Sequence, residues 1–162
     1  MNRWMMGIAV LALTALSAPA PAGAFTATAM GPVIGTMDPD GVDGALAVGA
    51  EMSLEQGGSG LHIEPNILYW KEDGLSDVNP NLDFSYHFLP STQVTPYVGA
   101  GLGMHFYDSE GSGDPGTDPG ANFFAGVTLP AQSMRFYFEG RVAATDRTQA
   151  GILAGAMFYI GR

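Results

Sequence analysis

Cysteine is absent from the 162 residues. That excludes disulfides, thiolate metal centres, cysteine nucleophiles and the acylated cysteine of a bacterial lipoprotein. Basic residues are scarce, with six Lys and Arg against sixteen Asp and Glu. A nucleic-acid backbone demands clustered cations, so nucleic acid is excluded as a partner. No segment has the eighteen or more consecutive apolar residues of a membrane-crossing helix, and none after the first two dozen residues sustains an apolar period of 3.6. Glycine and proline are plentiful instead, 23 and 11 residues without a Gly-x-y repeat. Such a composition suits tight turns and closely packed strands better than helices. At 46% apolar and 10% aromatic residues, the chain can bury one domain's worth of surface.

The beginning of the chain has its own character. Arg3 gives a positive start, Trp4 to Leu16 is apolar and uncharged, and Ser17 to Ala24 is small and Pro-punctuated, ending Ala22-Gly23-Ala24. This is the pattern of a secretory signal peptide, since the apolar run is too short for the roughly 20 residues of a bilayer-spanning helix. Cleavage is expected after Ala24, dividing the chain into a signal peptide, 1–24, and a mature domain, 25–162. Loss of Arg3 leaves five basic against sixteen acidic residues, a formal charge of −11.

In the mature chain apolar and polar residues alternate. Leu46, Val48, Ala50, Met52 and Leu54 share one side of Ala45 to Leu54, with Glu51 and Ser53 on the other. Leu82, Phe84, Tyr86 and Phe88 oppose Asn79, Asn81, Asp83, Ser85 and His87, and Val98 to Phe106 oppose Tyr97, Gly99, Gly101, Gly103, His105 and Tyr107. Met134 to Ala144 sets Phe136, Phe138 and Val142 against Arg135, Tyr137, Glu139 and Arg141. Weaker patterns over Thr28 to Met37, Leu61 to Trp70, Ala121 to Leu129 and Ala150 to Ile160 bring the expected strands to eight. Pro65 and Pro80 fall inside two strands, where a missing N–H predicts a bulge or a break in a ladder.

Alternation alone also suits a soluble, lipocalin-like barrel with its apolar side turned inward. Three features favour a membrane. The expected strands match the 9 to 11 residues that a tilted strand needs to cross a bilayer. The connections Glu55 to Gly60, Pro90 to Gln93 and Pro130 to Ser133 are short, while Asp38 to Asp43, Glu72 to Asp77 and Asp108 to Gly120 are mostly longer and acidic, as periplasmic turns and outer loops are. The polar side carries Glu51, Glu64, Asp83, Arg135, Glu139 and Arg141 with His62, His87 and His105 at mid-strand heights, where opposite charges can pair inside a narrow lumen. Eight strands enclose a lumen that side chains fill, with Gly99, Gly101 and Gly103 leaving room for neighbours such as Tyr137 and Trp70. Tyr69, Trp70, Phe106, Tyr107, Phe158 and Tyr159, near strand ends, are expected in interfacial girdles.

The stretch Thr95-Pro96-Tyr97-Val98-Gly99-Ala100-Gly101-Leu102-Gly103 and the last strand Gly155-Ala156-Met157-Phe158-Tyr159-Ile160 resemble the small OmpA-like and OmpX-like outer-membrane β-barrel proteins. The resemblance covers Phe25 to Ile160. It implies an eight-stranded antiparallel up-and-down transmembrane barrel in the cell outer membrane of a Gram-negative envelope. The last strand is similar to that family's terminal assembly signal, except that Gly161 and Arg162 follow Ile160, so the implied partners are the barrel-assembly machinery and outer-membrane lipid, including lipopolysaccharide.

The expected role is structural or interactive, with Glu51, Glu64, Asp83, Arg135, Glu139, Arg141, His87 and His105 as a lumenal charge network and no cofactor. Two functional alternatives remain. A small-solute barrel, OmpW-like, rests on the glycine-lined face of Tyr97 to Gly103. A lipid-modifying enzyme rests on Ser85 and His87, which stand about 7 Å apart along a strand, too far for a direct hydrogen bond. Asp38, Asp40 and Asp43, and the cluster Asp108, Glu110, Asp114 and Asp118, are acidic enough for weak divalent-cation binding and are expected to be solvated loops.

Overall fold

The structure is a computed structural model that describes residues 24–41, 43–88, 93–109 and 116–160. Residues 1–23 of the expected signal peptide lie outside the described residues, as do Glu110 and Asp114. Eight antiparallel strands, β1 (Phe25–Pro39), β2 (Ala45–Gln56), β3 (Leu61–Glu72), β4 (Leu75–His87), β5 (Thr95–Ser109), β6 (Thr117–Pro130), β7 (Met134–Ala144) and β8 (Gln149–Tyr159), pair in sequence order, and β8 returns to β1 to close the barrel. The expected eight-stranded all-β fold is therefore the observed one. The strands from β1 to β6 run longer than the sequence suggested, absorbing residues assigned to loops, while β7 keeps its expected bounds and β8 its expected length.

Alternation decides which face is inside. Leu102 and Ile152 are 70% and 69% exposed, and Leu46, Phe84, Phe123 and Phe138 also point outward, while Asp83, Asn122, His105 and Arg141 are buried in the lumen. A lipocalin-like interior is thereby lost, because the apolar parity lies on the outer wall. Tyr69, Phe106 and Phe158 are exposed, as a girdle requires, but Trp70 and Tyr107 are buried inside. Neighbouring residues of one strand point to opposite faces, so only one of each aromatic pair can join a girdle.

The prolines break ladders without shifting them. Around Pro65 the β2–β3 pairing lapses between Glu51↔Asn66 and Leu54↔Ile63, and around Pro80 the β4–β5 pairing lapses between Val78↔Phe106 and Asn81↔Gly103. Both keep register on their other side, in β3–β4, where Pro65 pairs Leu82 and Pro80 pairs Ile67. The missing N–H groups point away from the intact ladder. The register shift between Ala27 and Ala29 in β1 had no sequence signal.

The two rims differ in charge and not in loop length, contrary to expectation. Connections 57–60, 88–94 and 131–133 share the rim that carries Phe25 and Tyr159, and 40–44, 73–74, 110–116 and 145–148 share the far rim. Asp38, Asp40, Asp43, Glu72, Asp73, Asp108 and Asp146 gather at that far rim. The expected loop Glu72 to Asp77 is a two-residue turn, since Glu72 pairs Leu75 and Asp77 belongs to β4. Asp73 and Gly74 have φ of 51° and 73°, the paired positive values of a type I′ turn.

Gly74→Val should therefore cost about 1–2 kcal/mol in urea unfolding in detergent micelles, because the side chain enters a left-handed backbone. Gly57→Ala, at a position with open space and no positive φ, should stay within about 0.5 kcal/mol.

Candidate functional site in the barrel lumen

Inward parity brings polar and apolar side chains from all eight strands into the lumen. At the middle, the Arg141 guanidinium on β7 meets Asp83 Oδ2 through Nη2 and Glu139 Oε1 through Nε, both at 2.8 Å, and lies 4.7 Å over the Phe124 ring. Asp83 also accepts from Asn66 Nδ2 at 2.7 Å and Asn122 Nδ2 at 3.1 Å. Asn81 extends the network, donating to Asn66 and Asn79 and accepting from Asn122. A buried ion pair is sustained only where such extra bonds satisfy the remaining lone pairs and protons.

Glycine makes this crowding possible. A Cβ on Gly99 would run into the Phe124 ring, on Gly101 into Asp83, and on Gly103 into Asn81. The glycine face is thus filled, removing the open surface on which solute passage rested. Tyr137 packs instead over Gly155, and Trp70 packs near Tyr107, so neither fills the space assigned to it from sequence.

The expected charge network divides into separate groups. Asp83 and Glu139 share Arg141, whereas Glu51 accepts from the Tyr137 hydroxyl at 3.0 Å. Arg135 leaves that group and pairs at 2.7 Å with Glu55, assigned to a turn from sequence but reaching the lumen from β2. Thr28, at the β1 bulge, also donates to Glu55, at 2.7 Å. Near the far rim His105 Nδ1 bonds Asp77 Oδ2 at 2.7 Å, and Gln149 links Trp70, Asp77 and Tyr107. Asp77 went unrecognised because Glu72 to Asp77 reads as a loop; Asp73-Gly74, a strong hairpin signal, marks the true turn.

Glu64 belongs to another group, with two histidines. Its Oε1 lies 3.6 Å from both His62 Nδ1 and His87 Nε2, and the imidazoles stack with centroids 3.8 Å apart. His87 also stacks on Tyr97, whose hydroxyl donates to Glu139 at 2.9 Å. The ligand atoms of His62, Glu64 and His87 all lie within 4.8 Å of one another. A hollow of about 200 Å³, lined by Glu55, His62, His87, Thr95, Thr128, Pro130, Arg135 and Tyr159, opens on them from the rim of the chain termini.

Ser85 and His87 are closer than strand spacing suggests, 3.2 Å from Oγ to Nε2, because the side chains lean together above the strand. Catalytic triads place serine and carboxylate on opposite ring nitrogens. Here Ser85 and Glu64 both face Nε2, which is not the triad arrangement. Among the acidic loops, Asp38, Asp40, Asp43 and Asp73 line an open hollow of about 370 Å³ at the far rim, and Asp118 lies in β6.

The solved structures include the crystal structure of Neisserial surface protein A (NspA), which superposes with a TM-score of 0.68 at 12% identity, covering 83% of this chain and 96% of that one. The barrel fold is shared. A structure from the de novo design of transmembrane β-barrels also aligns, at a TM-score of 0.49 and 18% identity over 82% of this chain and 95% of that one. No family model and no curated protein matches the sequence. The likeness to NspA fits a small eight-stranded barrel without singling out the OmpA-like or OmpX-like kind.

Removing Arg141 strands two buried carboxylates. Arg141→Met should lower unfolding stability by about 3–5 kcal/mol, followed by the fluorescence of buried Trp70, and adding Asp83→Asn and Glu139→Gln should restore most of the loss.

Proposed function

We propose that this protein is an integral barrel of the bacterial outer membrane with a structural or interaction role, its lumen closed by its own side chains. The observation that carries the reading is the pairing of an apolar outer wall with an ionic, hydrogen-bonded interior. Water would strip such a wall of its free-energy advantage, whereas hydrocarbon leaves it at rest and demands that every backbone polar group be paired within the sheet. A closed ladder meets that demand outside the short lapses beside Pro65 and Pro80.

On this reading the chain termini face the periplasm, and the acidic rim faces outward among anionic lipopolysaccharide, where divalent cations bridge protein and lipid. The barrel-assembly machinery inserts the chain through its last strand. No catalytic role is assigned.

Expression with the native leader, envelope fractionation and gel electrophoresis of unboiled and boiled detergent extracts test the placement. The outer-membrane fraction should hold a species whose mobility changes on boiling, and the same species should give conductance near zero in a planar bilayer. A soluble periplasmic protein without a shift contradicts the membrane reading, and a steady ohmic conductance contradicts the closed lumen.

A further inference from the structure

We propose that His62, Glu64 and His87 bind one divalent transition-metal ion of the zinc class, entering from the rim that carries the chain termini. Both imidazole nitrogens stand 3.6 Å from the same carboxylate oxygen. A tetrahedral ion with ligands at about 2.0–2.2 Å has ligand-to-ligand edges of about 3.3–3.6 Å, so both nitrogen–oxygen separations already have the size that the ion imposes, and the nitrogen–nitrogen distance, within 4.8 Å, closes on binding. Two imidazoles and one carboxylate are borderline donors that such ions take in preference to calcium or magnesium, and three protein ligands leave a fourth position for water. The hollow of about 200 Å³ at His62 and His87 supplies that position and a path of entry.

Charge favours a cation at this depth. Glu51, Glu55, Glu64, Asp83 and Glu139 face the lumen across its middle and lower half, against the guanidinium groups of Arg135 and Arg141. Five acidic side chains against two guanidinium groups make this part of the lumen a favourable place for a cation. The donors stand on two paired strands, with His62 opposite Ser85 and the His87 N–H bonded to the Gly60 carbonyl at 2.8 Å. The scaffold therefore holds the donor-bearing strands in fixed register, and only the rings adjust.

One adjustment accompanies binding. The two rings lie within 10° of parallel, whereas a metal sits near the plane of each imidazole it binds. Capture turns the His62 ring out of the stack by its soft outer torsion, toward the hollow, and releases the 3.1 Å bond between Ser53 Oγ and His62 Nδ1 and the 3.2 Å bond between Ser85 Oγ and His87 Nε2.

The test uses the full mature barrel in detergent, verified as folded by its gel shift and stripped with a chelator, then titrated with Co²⁺ and with Zn²⁺ as competitor. One equivalent of Co²⁺ should bind with the intense visible absorption of a four-coordinate ion, and Zn²⁺ should displace it. His62→Phe keeps an aromatic ring in the stack without its nitrogens and should weaken binding at least about a hundredfold. Leu102→Ala, on the apolar outer wall and away from the lumen, should leave binding unchanged. Absence of saturable binding to the folded wild type overturns the proposal, as does unchanged affinity in His62→Phe. Should His62→Phe fail to fold, Glu64→Gln decides by the same absorption, whose survival at full affinity overturns the assignment.

Discussion

A β-strand exposes one N–H and one C=O at every step, and a wall without an edge pairs them all from within. Closure of β8 on β1 is the constraint on which the remainder of this molecule depends. A closed antiparallel ladder fixes side-chain direction around the whole circumference, because a slip of one residue would turn an entire strand inside out. The prolines fit within this constraint. Pro65 and Pro80 each forgo pairing on one side and keep register on the other, so the wall loses a few bonds and no alignment.

With direction fixed, the lumen becomes a packing problem in a narrow space. Charged groups there are removed from bulk water, and each is expensive unless another group meets it. Arg141 serves two carboxylates, Asp83 gathers two asparagines as well as Arg141, and Glu51 and Glu139 take tyrosine hydroxyls. Glycines permit these bulky partners to meet, since Gly99, Gly101 and Gly155 lie where any side chain would collide with Phe124, Asp83 and Tyr137. The same residues that read as an opening in the sequence are, in the folded barrel, the reason that no space is left beside them.

Much of this was legible from period-two alternation. Met134 to Ala144 emerged with its bounds intact, and Leu82, Phe84 and Tyr86 lie outward opposite Asp83 and Ser85 as their parity required. What alternation does not carry is the extent of a strand beyond its clearest residues. Glu55 and Asp77 therefore looked like loop residues, though both continue the inward parity of β2 and β4 and partner Arg135 and His105. Partner choice inside the lumen was also hidden, because it depends on strand stagger: Arg135 meets Glu55 eighty residues away, and Trp70 bonds Gln149 at a separation of 79. The β1 bulge at Thr28, which aims a hydroxyl at Glu55, has no signature in the residues themselves.

The central claim is that the apolar parity faces lipid and the polar parity faces a closed interior. Because the chain lacks cysteine, single cysteines report on one position at a time. Leu102→Cys or Ile152→Cys carrying a fluorophore should be strongly quenched by brominated acyl chains in reconstituted vesicles, while Asn122→Cys should resist a water-soluble thiol reagent. Ready aqueous labelling at Leu102 and Ile152, with no quenching from brominated lipid, would contradict the account and place the apolar wall in water.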